Sequence, residues 1–469
     1  MGRSAWPYRS TAKARGLVLL ALGVVKVATV EQLRQLVLPG TADVQTVRNA
    51  CKDLRSVGLV ESVGRTSHVS VSGRPVWRDL WNLTTAGLAS AASEVGRPVK
   101  EMGGTARDAA KAGAPHALAV TDTIDAFRQS PPLPTKPVAR RTDPTTTAPV
   151  PAQARPLPAR PLGLGHLGGW ETEVPLPVSG TFTTPARGSL RADAVLEAPE
   201  DGVPVMFVEV DNHTEPAAVV ARKVENYRRF FQRTVKDHQG VDVPFWSTLW
   251  DDSSRAGYPP LALVFAKNVS PDTAMNRMKS IHDLSTPCWQ GTWRSGSSYD
   301  RASRDGYRDY ARTIPVLATT LTRLQQHGPH GPVWWRFGHP APDTLGHPAL
   351  DTLGQPAFES LEHALANPDD YRPYHAREEQ RRLEHHAQEE RERQEEEEAE
   401  RRREAAAWLC PTCGREVLPN DWEPWPTGSD CSDCTRTRRR EQADAAALAA
   451  EEEEGREEAK RNGLFGFRR

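Results

Sequence analysis

Two long segments that cannot form a hydrophobic core divide this chain of 469 residues, and they most constrain its fold. Residues 131–161 are rich in proline, threonine, alanine and arginine, a composition typical of extended linkers. Residues 377–407 are almost entirely charged or small, with Leu383 as the exception, which predicts a solvated helix held by pairs of glutamate and arginine. At roughly 100–200 residues per domain, the rest of the sequence is long enough for two or three separate cores.

The first 95 residues have the pattern of a small basic domain. Apolar periodicity predicts helices over 11–25, 29–38 and 43–57, strands over 59–63 and 77–83, and a further helix over 84–93. Three helices followed by a hairpin is the order of a winged helix-turn-helix, which we assign to residues 10–95. Residues 1–90 carry 12 Lys and Arg against 5 Asp and Glu, a net charge of +7 that favours contact with phosphates.

The third helix of this domain is the element expected to enter the major groove of double-stranded DNA. Its polar side chains are candidates for base and phosphate contacts: Gln45, Thr46, Arg48, Asn49, Lys52 and Arg55. Arg65 and Arg74 would contribute from the wing. The alternative interpretation is a winged helix that contacts only protein.

The central part of the chain has the order αβββαβ. A helix is predicted over 116–129, strands over 170–176, 190–197 and 205–211, a helix over 217–232 and a buried strand over 260–266. We therefore expect an α/β domain formed by residues 114–130 and 165–337, with 131–164 as a linker insertion. A further helix is expected over 307–325.

Acidic residues on adjacent strands of this domain are candidate metal ligands. Asp193 lies in the second strand, and Glu209 and Asp211 end the third, so Asp193 and Glu209 should lie close together. Paired carboxylates suit Mg²⁺ or Mn²⁺ in phosphodiester cleavage. A lysine that assists such chemistry is absent two residues after Glu209, but Lys223 on the next helix could take its place.

Two further residues could support this site: Glu173 on the first strand, as an additional ligand, and His116. The alternative is structural, with the acids paired to neighbouring arginines and His116 capping its helix.

The αβββαβ order with its D…ExD pattern resembles the PD-(D/E)xK restriction-endonuclease-like superfamily. More narrowly, the chain resembles the replication-relaxation family of actinobacterial plasmids and integrative elements. The resemblance covers about residues 10–267 and is carried by residues 81–87 (WNLTTAG), 116–120 (HALAV), 170–174 (WETEV), 191–195 (RADAV) and 208–215 (VEVDNHTE), with Lys223 and Tyr227. It implies DNA handling in replication or conjugative transfer, a relaxase-related nuclease fold, and Asp193, Glu209, Asp211 and Lys223 as metal and catalytic positions.

Two CxxC pairs, Cys410–Cys413 and Cys431–Cys434, are separated by 17 residues. This spacing predicts a four-cysteine structural zinc site in a zinc ribbon over residues 408–440. Arginines follow directly, so the module could contact either nucleic acid or protein. Reduced cysteines and the lack of a segment long enough to cross a bilayer lead us to expect a cytoplasmic protein without membrane contact.

The remaining segments are predicted as a low-complexity linker (338–370), a charged helix (371–407) and a disordered tail (441–469). Three functions stay open at this point. The chain is a metal-dependent DNA nickase, a non-catalytic DNA-binding factor, or an adaptor that recruits other replication or transfer proteins of a mobile element.

Overall fold

The structure is a computed structural model, and it divides the chain into two compact units, Met1–Tyr374 and His375–Arg469. It describes residues 6–39, 43–69, 75–102, 114–128, 163–164, 169–182, 184, 186, 188–253, 255–295, 306–341, 358–367, 370–419 and 426–464. Most of the predicted linker 131–164 therefore lies outside the described residues. Within the described part, no helix is long and apolar enough to cross a membrane.

The predicted N-terminal helices and hairpin are present, with bounds close to those expected. They are α1 (Ala12–Val25), β1 (Val27–Ala28), α2 (Val30–Val37), α3 (Gln45–Ser56), β2 (Val60–Val69), β3 (Pro75–Leu83) and α4 (Thr85–Val95). Threonine side chains cap three of the helices, because a hydroxyl accepts a hydrogen bond from an otherwise unpaired N–H in the first turn. Thr29 forms a capping box with Gln32 at the start of α2. The three strands form one sheet in the order β1-β3-β2.

A six-stranded sheet forms the centre of the first unit. The elements in chain order are α5 (Ala114–Phe127), β4 (Gly169–Leu176), β5 (Leu190–Ala198), β6 (Val203–Asp211), α6 (Ala217–Gln232), β7 (Thr234–Lys236), β8 (Asp242–Pro244), β9 (Leu261–Phe265), α7 (Pro271–Trp289), β10 (Thr292–Ser295), β11 (Gly306–Asp309), β12 (Val316–Thr320), α8 (Leu321–His327), β13 (Trp335–Arg336) and α9 (Leu361–Leu365). The strand order is β13-β12-β9-β6-β5-β4. Strands β6, β9 and β12 are parallel neighbours, whereas β4–β5, β5–β6 and β12–β13 pair antiparallel.

Helices cover both faces of this sheet. One apolar cluster contains residues of α6, α7 and the sheet, including Phe207, Tyr227 and Phe231. The other joins the opposite face of the sheet to α5, α8 and the N-terminal helices, with Phe127 stacked on Trp334 at 5.9 Å between ring centroids. The N-terminal elements and the sheet therefore share buried side chains, although the sequence suggested two separate domains.

The helix expected over 307–325 is wrong. The segment forms strands β11 and β12 and only then the short helix α8. Residues 316–319 (VLAT) are buried between β9 and β13, and this burial in the sheet outweighs the local helical pattern.

The low-complexity linker expected over 338–370 is wrong in its described C-terminal part. Phe358, Leu361 and Leu365 are buried in the two apolar clusters. Arg336 donates to the Ala364 carbonyl at 2.7 Å and so ties α9 to the sheet. Residues 342–357 lie outside the described residues.

The second unit contains the expected charged helix, α10 (Tyr371–Ala405), which begins in the last residues of the first unit. It then forms the small hairpin β14 (Trp408–Leu409) and β15 (Glu416–Val417), followed by α11 (Ser432–Leu464). The disordered tail expected from residue 441 is wrong through Leu464. Alanine, glutamate and arginine are strong helix formers, and their propensity accounts for a helix without an apolar face.

Substitution of Gly87, which lies in the motif at residues 81–87, tests how closely α4 packs on the hairpin. A Cβ at this position would lie 1.9 Å from the Leu59 carbonyl oxygen, whereas a Cβ on the helical Gly16 meets no atom within 4 Å. We expect Gly87→Ala to lower the free energy of unfolding by about 3 kcal/mol, because backbone must move to admit the methyl group. Gly16→Ala, the matched control, should be neutral or stabilising by up to about 1 kcal/mol. Urea denaturation of both variants measures this, and equal stabilities would contradict the packing described.

Candidate functional site

Strand register brings three acidic positions into one row. Residues of β4 and β5 pair as Thr172↔Ala194 and Val174↔Ala192, which sets Glu173 opposite Asp193. The pair Ala194↔Val208 of β5 and β6 sets Asp193 opposite Glu209. Directly opposed residues in antiparallel strands have Cβ atoms about 4.5–5.5 Å apart. The predicted proximity of Asp193 and Glu209 is thus present.

Glu209 is almost completely buried, and two side chains of α6 hold its carboxylate. The Tyr227 hydroxyl donates to Oε1 at 2.9 Å, and Lys223 Nζ lies 3.3 Å from Oε2. Burial, followed by the charge of Asp193, raises the pKa of Glu209 to about 8. Burial disfavours the Lys223 ammonium, but the neighbouring carboxylates, Glu209 first, outweigh it and raise the pKa of Lys223. Lys223, from the helix that follows β6, therefore contacts the Glu209 carboxyl directly.

Asp193 links the row to α5. Its Oδ2 accepts a hydrogen bond from the Val210 N–H at 2.7 Å, and its Oδ1 lies 2.9 Å from His116 Nε2. The hydrogen bond to Asp193 raises the pKa of His116 against the opposing effect of burial. The His116 side chain thus contacts the acidic row, whereas a residue that only capped its helix would bond to its own backbone.

Asp211 has a different environment from the other two acids of β5 and β6. The Arg277 guanidinium of α7 forms a two-pronged ion pair with it, with Nη2 2.9 Å from Oδ1, and donates to the Glu215 carbonyl at 2.7 Å. Arg277 was missed by the sequence reasoning, since only the packing of α7 against α6 brings it to this strand end. The ion pair makes Asp211 a structural anchor of the loop that carries Glu215, whose carboxylate lies 3.1 Å from Lys223 Nζ.

Glu173 and Lys26 face the same cavity of about 340 Å³ between α1 and β4. Both have left-handed backbones, with φ of 55° for Glu173 and 66° for Lys26, which is uncommon for residues other than glycine. Burial, followed by the charge of Asp193, raises the pKa of Glu173, and burial lowers the pKa of Lys26 to about 8. The row of acids therefore extends to the edge of the N-terminal elements.

A second cavity, of about 180 Å³, opens directly onto the acids. Its lining includes His116, Glu209, Asp211, Glu215 and Lys223. Acidic, basic and imidazole groups thus share one cleft at the end of β6.

The predicted DNA-contact residues of α3 lie on one side of the helix. Val47, Cys51 and Leu54 are buried, while the polar side chains are exposed or half-buried. Gln45 joins two of its neighbours by hydrogen bonds, at 2.7 Å to Asn49 and 2.9 Å to Arg48. The other members of this face are Thr46, Lys52 and Arg55. On the hairpin, Arg65 is exposed and pairs with Asp79 at 3.0 Å, and Arg74 lies outside the described residues.

An N-terminal arm that the sequence reasoning missed lies beside α3. The fully buried Asp53 accepts hydrogen bonds from the backbone N–H groups of Tyr8 and Ser10, at 2.8 and 2.9 Å. Lys52 Nζ lies over the Tyr8 ring at 5.1 Å from its centroid. The arm therefore forms one border of the polar face of α3.

The four cysteines converge as predicted. Their sulfur atoms all lie within 4.8 Å of one another, and Cys413 Sγ is 3.7 Å from Cys431 Sγ. A tetrahedral zinc ion with bonds of about 2.3 Å requires sulfur separations near 3.8 Å, so this group could bind a metal such as zinc. Among the residues that the structure describes, no other group of three or more acidic, histidine or cysteine side chains converges this closely.

The surroundings of the cysteines differ from a zinc ribbon in one respect. The first pair follows β14 in a hairpin turn, where Gly414 adopts φ 70°, but the second pair begins helix α11 and does not form a second hairpin. Asp430 accepts a hydrogen bond from Thr412 at 2.6 Å and pairs with Arg438, which fastens the first turns of α11 to the hairpin.

Comparison with known families adds one finding. The replication-relaxation family model matches residues 19–243. The matched segment is a little under half of the chain and runs from α1 to β8, so it contains the polar face of α3 and the acidic row with Lys223 and Tyr227. It supports the resemblance to this family and suggests a role in replication or mobilisation. Neither curated proteins nor solved structures give a match.

The raised pKa of Glu209 predicts how stability depends on pH. A pKa of about 8 in the folded chain, against the ordinary 4.5 of the unfolded carboxyl, means that the folded state binds this proton more tightly. The stabilising contribution is thus complete at low pH and is lost as pH rises through about 8. Between pH 5 and pH 9, we expect the unfolding free energy of the unchanged protein to fall by several kcal/mol relative to Glu209→Gln.

Urea denaturation across this range measures the difference. The matched control is Glu200→Gln, at an exposed position, whose curve should parallel that of the unchanged protein. If the unfolding free energy of Glu209→Gln followed the same pH dependence as that of the unchanged protein, the raised pKa of this carboxyl would be contradicted.

The four-cysteine group predicts about one zinc ion per chain, measured by elemental mass spectrometry after dialysis. Cys413→Ser should lower this to near zero, because three thiolates and a hydroxyl bind zinc far more weakly. Cys288→Ser changes a cysteine outside the group and should retain the metal. Retention of zinc by Cys413→Ser would contradict the ligand assignment.

Proposed function

We propose that this protein is a DNA-binding member of the replication-relaxation type that acts in replication or conjugative mobilisation of a plasmid or integrative element. The observation that carries the proposal is the separation of buried and polar sides on α3. Gln45, Arg48 and Lys52 follow one another at helical spacing on the free side, where a groove-reading helix presents its contacts. The family match supports a role in replication, and double-stranded DNA is the partner proposed.

The N-terminal elements have the order of a winged helix-turn-helix, with α2 and α3 as the paired helices and β2–β3 as the wing. The exposed Arg65 extends the basic surface onto the wing. Since phosphates carry no sequence information, the amides of Gln45 and Asn49 are the proposed base readers and the cations the proposed phosphate contacts.

Arg48→Ala tests the binding proposal. On a labelled duplex selected by the protein from a random pool, we expect affinity to fall roughly 10- to 100-fold, with a smaller salt dependence if the arginine contacts phosphate. Fluorescence anisotropy at several salt concentrations gives both quantities. Arg382→Ala, an exposed arginine on α10, is the control and should bind normally. Equal affinity for the two variants would refute the role of α3.

A second function, metal-dependent strand nicking, is favoured by the cleft beside Glu209. Two carboxylates, Asp193 and Glu209, fit the preference of Mg²⁺ or Mn²⁺ for few protein ligands, with water and substrate phosphate completing the shell. A metal bound there would act as a Lewis acid toward a phosphodiester and would require Glu209 to lose its proton.

The other side chains of the cleft have separate roles in this proposal. Lys223 would stabilise charge on the phosphate, with Glu215 and Tyr227 holding the ammonium and the Glu209 carboxylate in place. His116 would exchange a proton with water in the cleft while Asp193 orients its ring. Asp211 is proposed only as an anchor, because Arg277 already engages it. A DNA-binding factor or assembly adaptor without cleavage is the competing reading of the same fold.

Supercoiled plasmid from the native element tests nicking. We expect open circles in Mg²⁺ or Mn²⁺ and none in EDTA, with at least about 100-fold slower nicking by Glu209→Gln, because one metal ligand is lost. Glu200→Gln should nick at the normal rate. Nicking without a metal, or equal nicking rates for both variants, would show that the cleft beside Glu209 is not the site of nicking. If the plasmid stays intact but the protein still slows its electrophoretic migration, the protein binds DNA without cleaving it.

A further inference from the structure

Helix α11 is exposed along nearly its whole length. Every residue from 436 to 461 is exposed, and the longest apolar side chain in that range, Leu448, is 63% accessible. A helix of this length that buries nothing gains no stability from packing, so such helices usually have partners or are held by charge pairs. The sequence along α11 indicates which partner fits.

One face of α11 carries three consecutive blocks. Residues at helical spacings of three, four and seven share a face. The face that contains Ala443 and Ala450 is basic at its N-terminal end, small in the middle and acidic at its C-terminal end: Arg436, Arg439, Arg440; Ala443, Ala446, Ala447, Ala450; Glu453, Glu454, Glu457. Leu448 and Gly455 lie off this face.

We propose that two copies of this chain pair antiparallel through this face of α11. With the two-fold axis between Ala446 and Ala447, Arg436 of one copy lies opposite Glu457 of the other. Arg439 then meets Glu454, and Arg440 meets Glu453. The same register sets Ala443 against Ala450. These facing positions match in charge or size, and Arg461, which also lies on this face, meets Ser432. A parallel pair would instead set like charges against each other.

Among the described residues of the second unit, the side chains of this face are exposed. Arg438, the residue before Arg439, lies off this face and contacts the hairpin of the four cysteines. Its Nη2 lies 3.2 Å from Thr412 Oγ1, and it forms an ion pair with Asp430. Arg436 lies 3.9 Å from Asp433 and its side chain is 80% exposed. The four-cysteine group therefore anchors α11 through one side and leaves the patterned side for a partner.

The acidic block decides between a second copy and a nucleic acid. Glu451–Glu454 with Glu457 and Glu458 follow the arginines on the same helix and would repel phosphates. A second copy uses both blocks, and the alanines permit close approach of the two backbones. Exposed ion pairs contribute little singly and are screened by salt, so the dimer should dissociate at high ionic strength.

Sedimentation velocity on the full-length, zinc-loaded protein tests the pairing. At about 0.1 M NaCl, where charges act over about 10 Å, we expect twice the mass of the chain, and at about 1 M, where they act over about 3 Å, the single mass. The double variants Arg439→Glu/Arg440→Glu and Glu453→Arg/Glu454→Arg should each weaken dimerisation at least roughly tenfold, because each face then repels its own copy.

An equimolar mixture of the two variants should restore the dimer, since an acidic face then meets a basic one. This restoration also shows that neither variant has lost its helix. The control Glu451→Arg/Glu452→Arg makes the same charge change off the face and should still dimerise.

A single mass of the unchanged protein at low salt would overturn the proposal, as would dimerisation of both double variants as strong as that of the unchanged protein. The proposal would also be overturned if Arg439→Glu/Arg440→Glu lost affinity for DNA but still sedimented as a dimer. The basic block would then be a nucleic-acid contact.

Discussion

Burial of a row of acids at the centre of the first unit imposes the strongest constraint on its structure. A buried carboxylate is costly unless a cation, a hydrogen-bond donor or a proton compensates it. The acids of β5 and β6 are each held from a different helix: Glu209 by Tyr227 and Lys223 on α6, Asp193 by His116 on α5, and Asp211, beyond the row, by Arg277 on α7. The packing of three helices on the sheet is therefore tied to the charges of two strands.

The same row connects the sheet to the N-terminal elements. Along β4, the Thr172 hydroxyl donates to the Val24 carbonyl, and Glu171 pairs with Arg97. The left-handed backbone of Glu173 changes the alternation of this strand, so that Trp170 packs beside the N-terminal helices and Val174 beside α6. Under the proposed function, the strand opposite Asp193 is thus held by the elements that contact DNA.

The sequence was sufficient for features encoded locally or by strand adjacency. Cysteine spacing predicted the four-sulfur cluster, and the strand pattern predicted the proximity of Asp193 and Glu209. Features that depend on tertiary packing were missed. Arg277 reaches Asp211 only because α7 packs on α6, and residues 316–319 form a strand because their neighbours bury them. The helix after residue 440 has no apolar face, so the helix propensity of its alanines, glutamates and arginines is the only local signal for it.

Under the second function proposed, the Asp193–Glu209 pair binds a divalent metal, and binding requires Glu209 to lose a proton. Calorimetric titration of Mn²⁺ into the zinc-loaded protein at pH 7, in two buffers of different ionisation enthalpy, measures metal and proton stoichiometry together. We expect one Mn²⁺ to bind in addition to zinc, with release of about one proton, and this binding to be lost in Glu209→Gln but not in Glu200→Gln. Absence of Mn²⁺ binding, or unchanged binding by Glu209→Gln, would contradict it.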